Sequence, residues 1–118
     1  MVKELILATT MMFNVAQAQL DDKPEVIDLG SFEITAYAED GITATGTVPR
    51  PMRTCAVDPS VIPYGAKLYI EDLDLYVVAE DCGGAVKGNV IDVFVGGTEP
   101  ETESFGRQIH NVYMLVEN

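Results

Sequence analysis

A period of two governs this chain. In "SFEITAYAE" (31–39), Phe32, Ile34 and Ala36 fall on one face of an extended segment, and Glu33, Thr35 and Tyr37 on the other. "AKLYIED" (66–72), "LDLYVVAE" (73–80), "NVIDVFV" (89–95) and "IHNVYMLVE" (109–117) read as further strands, with Leu73, Leu75, Val77 and Ala79 sharing one face. Gly and Pro punctuate the stretches between. "TVPRPM" (47–52) is a loop or an edge, because its prolines cannot donate to a ladder. "VDPSVIPYG" (57–65) reads as consecutive turns. Only Glu99 to Gly106 has the look of a helix, a short one, with Pro100 suited to a first turn. Five or six short strands with tight turns predict an all-β fold closed into a small barrel, since closure removes the exposed edges.

The length of 118 residues fits one domain, and 47% hydrophobic residues are enough to pack a core and argue against disorder. The formal charge is -12, from 19 acidic and 7 basic residues. That balance argues against a nucleic-acid partner, which needs a basic face, and against adsorption to anionic membranes or polymers. A neutral or cationic partner fits better.

"MVKELILATTMMFNVAQAQ" opens with Lys3, continues with an apolar run from Leu5 to Ala16, and ends in the small-x-small pattern Ala16-Gln17-Ala18. The run is too short to span a bilayer and reads as a secretory signal peptide over 1–18, despite Glu4 and Asn14. A polar spacer follows over 19–29, and the folded domain is expected over 30–118. The competing reading is an N-terminal helix packed on the domain. The two cysteines, Cys55 and Cys82, permit one disulfide in an exported chain, and would be free thiols in a cytosolic one. His110 is the single histidine and reads as a strand residue; the chain offers no metal-ligand spacing and calls for no cofactor.

Asp92 breaks the strand pattern. Ile91, Val93 and Val95 form the core face of their strand, so Val90, Asp92 and Phe94 look outward. A carboxylate flanked by apolar neighbours is harder to ionise, because burial disfavours the charged form. A general acid needs that environment, since an ordinary Asp is already ionised at neutral pH. A solvated surface aspartate on an ordinary strand is the alternative.

The other segments strengthen the first reading. "TAY" (35–37), "TATG" (43–46), "AVDPSVIPYG" (56–65), "LYIE" (68–71), "AEDCGGAVKGNVIDVFV" (79–95) and "FGRQIHNVYML" (105–115) occur in order with short gaps. In this combination the chain resembles the three-aspartate (3D) domain family of bacterial and phage cell-wall proteins. It is also similar to the catalytic core of the membrane-bound lytic transglycosylase A family. The resemblance implies a six-stranded double-psi β-barrel. It further implies cleavage of the β-1,4 bond between N-acetylmuramic acid and N-acetylglucosamine in peptidoglycan, with the muramoyl C6 hydroxyl closing a 1,6-anhydro ring. On the family motif, Asp92 matches the catalytic acid, Asp81 its close partner and Asp58 the third member.

The chemistry fits one acid. The leaving oxygen must be protonated as the bond breaks, and the resulting carboxylate can take the proton of the attacking hydroxyl. Asp81 is expected to tune Asp92 or to hydrogen-bond with it, because like charges close together raise one pKa. Asp58, which precedes Pro59, fits a turn-capping role as well as a catalytic one. Thr35 and Tyr37 are expected to line the sugar groove, although Tyr37 also suits barrel packing. Gly83 and Gly84 either let the backbone approach a sugar, adopt positive φ, or form a plain turn. Lys87 reaches an aspartate or a sugar hydroxyl, or is a solvated turn residue. The family commonly has threonine where Cys82 stands, so Asp81 loses a hydroxyl neighbour. The motif places the Cys55 and Cys82 loops near one another, and a Cys55–Cys82 disulfide is expected.

The partner so implied is a peptidoglycan glycan strand, outside the cytoplasm, with no nucleic acid and no stable membrane insertion. A phage-borne chain without a working leader would stay cytoplasmic until lysis. A barrel that binds wall glycan or a protein without cutting is the second reading, since one fold hosts unrelated functions.

Overall fold

The computed structural model describes residues 25–97 and 99–116. The signal-peptide reading over 1–18, and the first part of the spacer, lie outside the described residues. Among the described residues there are six strands: β1 (Glu25–Tyr37), β2 (Thr54–Ala56), β3 (Lys67–Ile70), β4 (Leu75–Asp81), β5 (Val90–Phe94) and β6 (Gln108–Val116). A one-turn 3₁₀ helix at Glu71–Leu73 separates β3 from β4, and a short helix α1 (Glu99–Phe105) precedes β6. The strand order β1-β5-β2-β4-β3-β6 closes on itself. Two parallel pairs, β1/β5 and β2/β4, meet where β2 runs antiparallel to β5. This is the small barrel of the double-psi class, with one short helix.

The period of two accounts for the packing. Phe32, Ile34, Val77, Ala79, Ile91 and Val93 all point inward and are buried, joined by Leu68, Ile70 and Val112. Burial of such side chains contributes roughly 1.5–3 kcal/mol each. Val57 and Ile62, from the segment read as turns, complete the core.

Two elements differ from the sequence expectation. β1 begins at Glu25, so the strand takes in residues 25–29, which the sequence places in the spacer. Gly30, at φ +87°, sits at a register shift against β6 and interrupts the alternation there. The Asp28 carboxylate accepts from the Gly30 amide (2.9 Å) and from Asn111 (2.8 Å), which secures the bend. The second difference is β2, a strand of three residues in a region that sequence reads as loops. All three of its residues are buried, between β4 and β5.

His110 behaves as a strand residue, with its ring nitrogens against Asp72 (2.9 Å) and Gln108 (2.7 Å). No helix among the described residues is long and apolar enough to cross a membrane.

Candidate active site

Backbone register gathers the site. Thr35 on β1 pairs with Asp92 on β5. Asp92 pairs with Ala56 on β2, and Ala56 pairs with Asp81 on β4. These four residues form one transverse row, Thr35–Asp92–Ala56–Asp81. The two carboxylates are thus two strands apart, roughly 10 Å at the backbone, with Ala56 between them in the pairing.

Asp81 reaches this row through an irregularity. By alternation it would follow Val77 and Ala79 into the core. Instead the pairing of β2 skips from Cys55–Ala79 to Ala56–Asp81, leaving Glu80 as an extra residue. Such a bulge shifts the face presented by everything after it. Glu80 itself is held: its carboxylate accepts from the buried Thr54 hydroxyl (2.8 Å), and its carbonyl accepts from Thr45.

The carboxylates have different surroundings. Asp92 is half-buried, and the Thr35 hydroxyl donates to its Oδ1 at 2.8 Å. Its pKa is raised, chiefly by burial; the Thr35 bond works against this, and the negative charge of Asp81 adds to it. Asp81 is surrounded by donors. Tyr37 donates its hydroxyl to Oδ2 (3.1 Å), and the amides of Ala44 (2.9 Å) and Cys82 (3.0 Å) donate to Oδ1. The Ala44 contact brings in the "TATG" loop, whose Thr43 and Thr47 hydroxyls bond each other at 2.7 Å. Burial and the negative charge of Asp81 push the Tyr37 hydroxyl up, so it stays protonated as a donor. Its ring packs against Phe94 with centroids 5.3 Å apart.

Asp58 stands apart from the row and acts as a clamp. Its carboxylate accepts from the Ser60 amide (3.0 Å), the Ser60 hydroxyl (2.7 Å) and the Gly88 amide (2.8 Å). These bonds, with the charge of Lys87 as a smaller contribution, lower its pKa to about 2. The geometry therefore favours the turn-holding role over the catalytic one. Gly88, at φ +72°, is the glycine this loop requires, because it must turn its amide onto Asp58.

Several sequence expectations are revised here. Gly83 and Gly84 are not among the residues at positive φ. Gly83 instead makes a close turn: an added Cβ would lie 3.2 Å from the Val86 side chain. The Cys55–Cys82 disulfide is not formed, and both thiols are free. Cys55 points into the barrel core, fully buried, while Cys82 is exposed beside Tyr64. Thr35 and Tyr37, which the sequence reading set against the sugar, each donate a hydroxyl to an aspartate. Sequence reasoning missed Ala44, whose contribution is a backbone amide, and Ala56, whose contribution is its small size.

An open pocket of about 190 Å³ lies at the Asp81 end of the row, lined by Tyr37, Asp81, Glu39, Asp40, Ile42 and Pro49 among others. Among the described residues, no group of three or more His, Cys, Asp or Glu side chains is placed to hold a metal ion.

A closed six-stranded barrel with a half-buried acid, and a second, hydrogen-bonded carboxylate two strands away in the same row, defines a class of small barrel with two carboxylates on one face. Comparison narrows this: the 3D domain family matches residues 53–116, and the chain belongs to that family. It is 50% identical over 69 residues to the cell wall-binding protein YocH of Bacillus subtilis, covering 52% of this chain and 24% of that protein. It is 47% identical over 75 residues to the putative cell wall shaping protein YabE of the same organism, covering 59% of this chain and 18% of that one. The match thus spans about a quarter or less of these relatives. Among solved structures, MltA of E. coli with bound chitohexaose superposes with a TM-score of 0.57 at 23% identity, covering 67% of this chain and 28% of that one. The lytic transglycosylase LtgG of Burkholderia pseudomallei superposes with a TM-score of 0.52 at 29% identity, covering 70% and 28%.

Proposed function

We propose that this chain is a small peptidoglycan lytic transglycosylase acting outside the cytoplasm, with Asp92 as its single acid and base. The observation that carries this reading is geometric: half-buried Asp92, held by the Thr35 hydroxyl at 2.8 Å, stands in one transverse row with Asp81. Neutral Asp92 donates its proton to the glycosidic oxygen as the bond from that oxygen to the muramoyl C1 breaks. The resulting carboxylate takes the proton of the C6 hydroxyl, and O6 bonds to C1. Asp92 ends protonated, one bond has formed for one broken, and no water is consumed. The nucleophile belongs to the substrate, so it needs only to be held in place. Burial, with the negative charge of Asp81 as a smaller cause, raises the pKa of Asp92 and so favours its neutral form at the start. The wider open pocket at the Asp81 end offers room for the glycan on one side of the scissile bond. The likeness to a lytic transglycosylase at 29% identity supports the same reading.

The second reading is a barrel that binds wall glycan without cutting it. It is favoured by relatives named for cell-wall binding and shaping, of which the match covers 24% and 18%. Digestion of purified peptidoglycan followed by mass analysis separates the two. The enzyme releases 1,6-anhydro muropeptides, lighter by one water than hydrolysed ones, and Asp92→Asn reduces release at least a hundredfold. Sedimentation with the wall but no release, or equal release by Asp92→Asn, defeats the catalytic reading.

A further inference from the structure

We propose that Thr35 is a positioning residue for the acid: its hydroxyl holds Asp92 Oδ1, and so leaves Oδ2 as the oxygen that carries and transfers the proton. This deepens the transglycosylase reading and rests on it for its catalytic consequence only.

The Thr35 hydroxyl has one proton, and it donates that proton to Oδ1 at 2.8 Å. When Asp92 is neutral, its two oxygens are unlike. One carries the proton, and the other keeps carbonyl character and is the better acceptor. With Thr35 donating to Oδ1, as it does here, the proton of neutral Asp92 sits on Oδ2. The bond is built by the fold: β1 and β5 are parallel with Thr35 directly beside Asp92, and a β-branched side chain has a restricted χ1. Among the described residues, the charged and titratable neighbours on β1, β2 and β4 are otherwise engaged. On β1, Tyr37 gives its hydroxyl to Asp81, and Glu33 is paired with Arg107. On β2, Cys55 is buried in the core behind the row. On β4, Asp81 accepts bonds at both oxygens. Thr35 is thus bonded to the catalytic group, where the sequence placed it against sugar.

The test begins without substrate. The side-chain carboxyl carbon of Asp92 is followed by NMR across pH in the wild type, Thr35→Val and Thr35→Ser. Valine keeps the shape and removes the donor, so the Asp92 midpoint rises, by about one pH unit for a lost bond to a carboxylate. Serine restores the wild-type midpoint. An unchanged midpoint in Thr35→Val overturns the proposal. If Thr35→Val does not fold, Thr35→Ala against Thr35→Ser gives the same comparison. With peptidoglycan as substrate, Thr35→Val lowers kcat roughly tenfold with KM little changed, and moves the alkaline limb of kcat upward. A raised KM with an unmoved limb makes Thr35 a sugar ligand and also overturns the proposal. A midpoint that responds to Thr35 in a protein that releases no anhydro product keeps the assignment of Thr35 to Oδ1 and removes the enzymatic reading.

Discussion

Asp92 lies between Val90 and Phe94 on its strand, and its ionised form costs the fold stability. Burial is the first cause of its raised pKa, and the charge of Asp81 adds to it. The sign of the pH dependence follows. The folded state holds the proton more tightly than the unfolded chain, so stability is favoured below the ordinary carboxylate range. That contribution is lost as pH rises through the folded value. Asp92→Asn has no charge to desolvate, so it should gain on the wild type as pH rises from about 4 to 7. After allowing for solvent screening of a half-exposed group, the gain is at most about 1 kcal/mol, or a few degrees in Tm. Thermal unfolding of both proteins at several pH values measures it. A wild type more stable than Asp92→Asn at pH 7 would mean that the carboxylate is well solvated or paired. Stability gained together with activity lost marks a residue kept for its chemistry. Asp58 is the opposite case: its three donors stabilise the ionised form, and its loop depends on that charge.

At the scale of elements, β2 and the bulge in β4 create the site. β2 places Ala56 between the two carboxylates, and the skip at Glu80 brings Asp81 beside it. Ala56 is buried between Asp92 and Asp81 in the pairing, so a larger residue at 56 would have to push the strands that carry the two carboxylates. Ala56→Val should lower kcat at least tenfold, while overpacking costs about 1–3 kcal/mol. Ala56→Ser, nearly the same size, should retain most activity. Parallel measurement of kcat and denaturation midpoint checks this, and a valine variant with wild-type kcat would show that the small size of residue 56 has no role.

These elements also mark where the sequence stops being legible. Period two is enough to find β1, β3, β4, β5 and β6, because each is long enough to alternate between core and solvent. It misses β2, since three residues buried on every side show no alternation. It puts Asp92 on the correct face, because β5 is regular. Asp81 is different: parity places it with Val77 and Ala79, and only the tertiary pairing of β4 with β2 reveals the extra residue. The family motif singles out Asp81 without showing how it gets there. The cysteines fail for a related reason. Motif neighbourhood brings their loops together, but strand orientation sends Cys55 into the core.

At the scale of the whole molecule, barrel closure leaves the carboxylate row on the outside of a rigid core. Two loop regions then furnish its surroundings. Residues 38–53 supply the Ala44 amide and much of the pocket wall, and residues 82–89 bind back to Asp58 through Gly88. A rigid scaffold with loops that shape the cleft is how small barrels hold catalytic groups in register. If one proton moves through Asp92 and the sugar's own hydroxyl is the nucleophile, digestion of peptidoglycan in water enriched in oxygen-18 releases muramoyl ends that are anhydro and carry no label. A labelled reducing end would show that water is the nucleophile, and would contradict that mechanism.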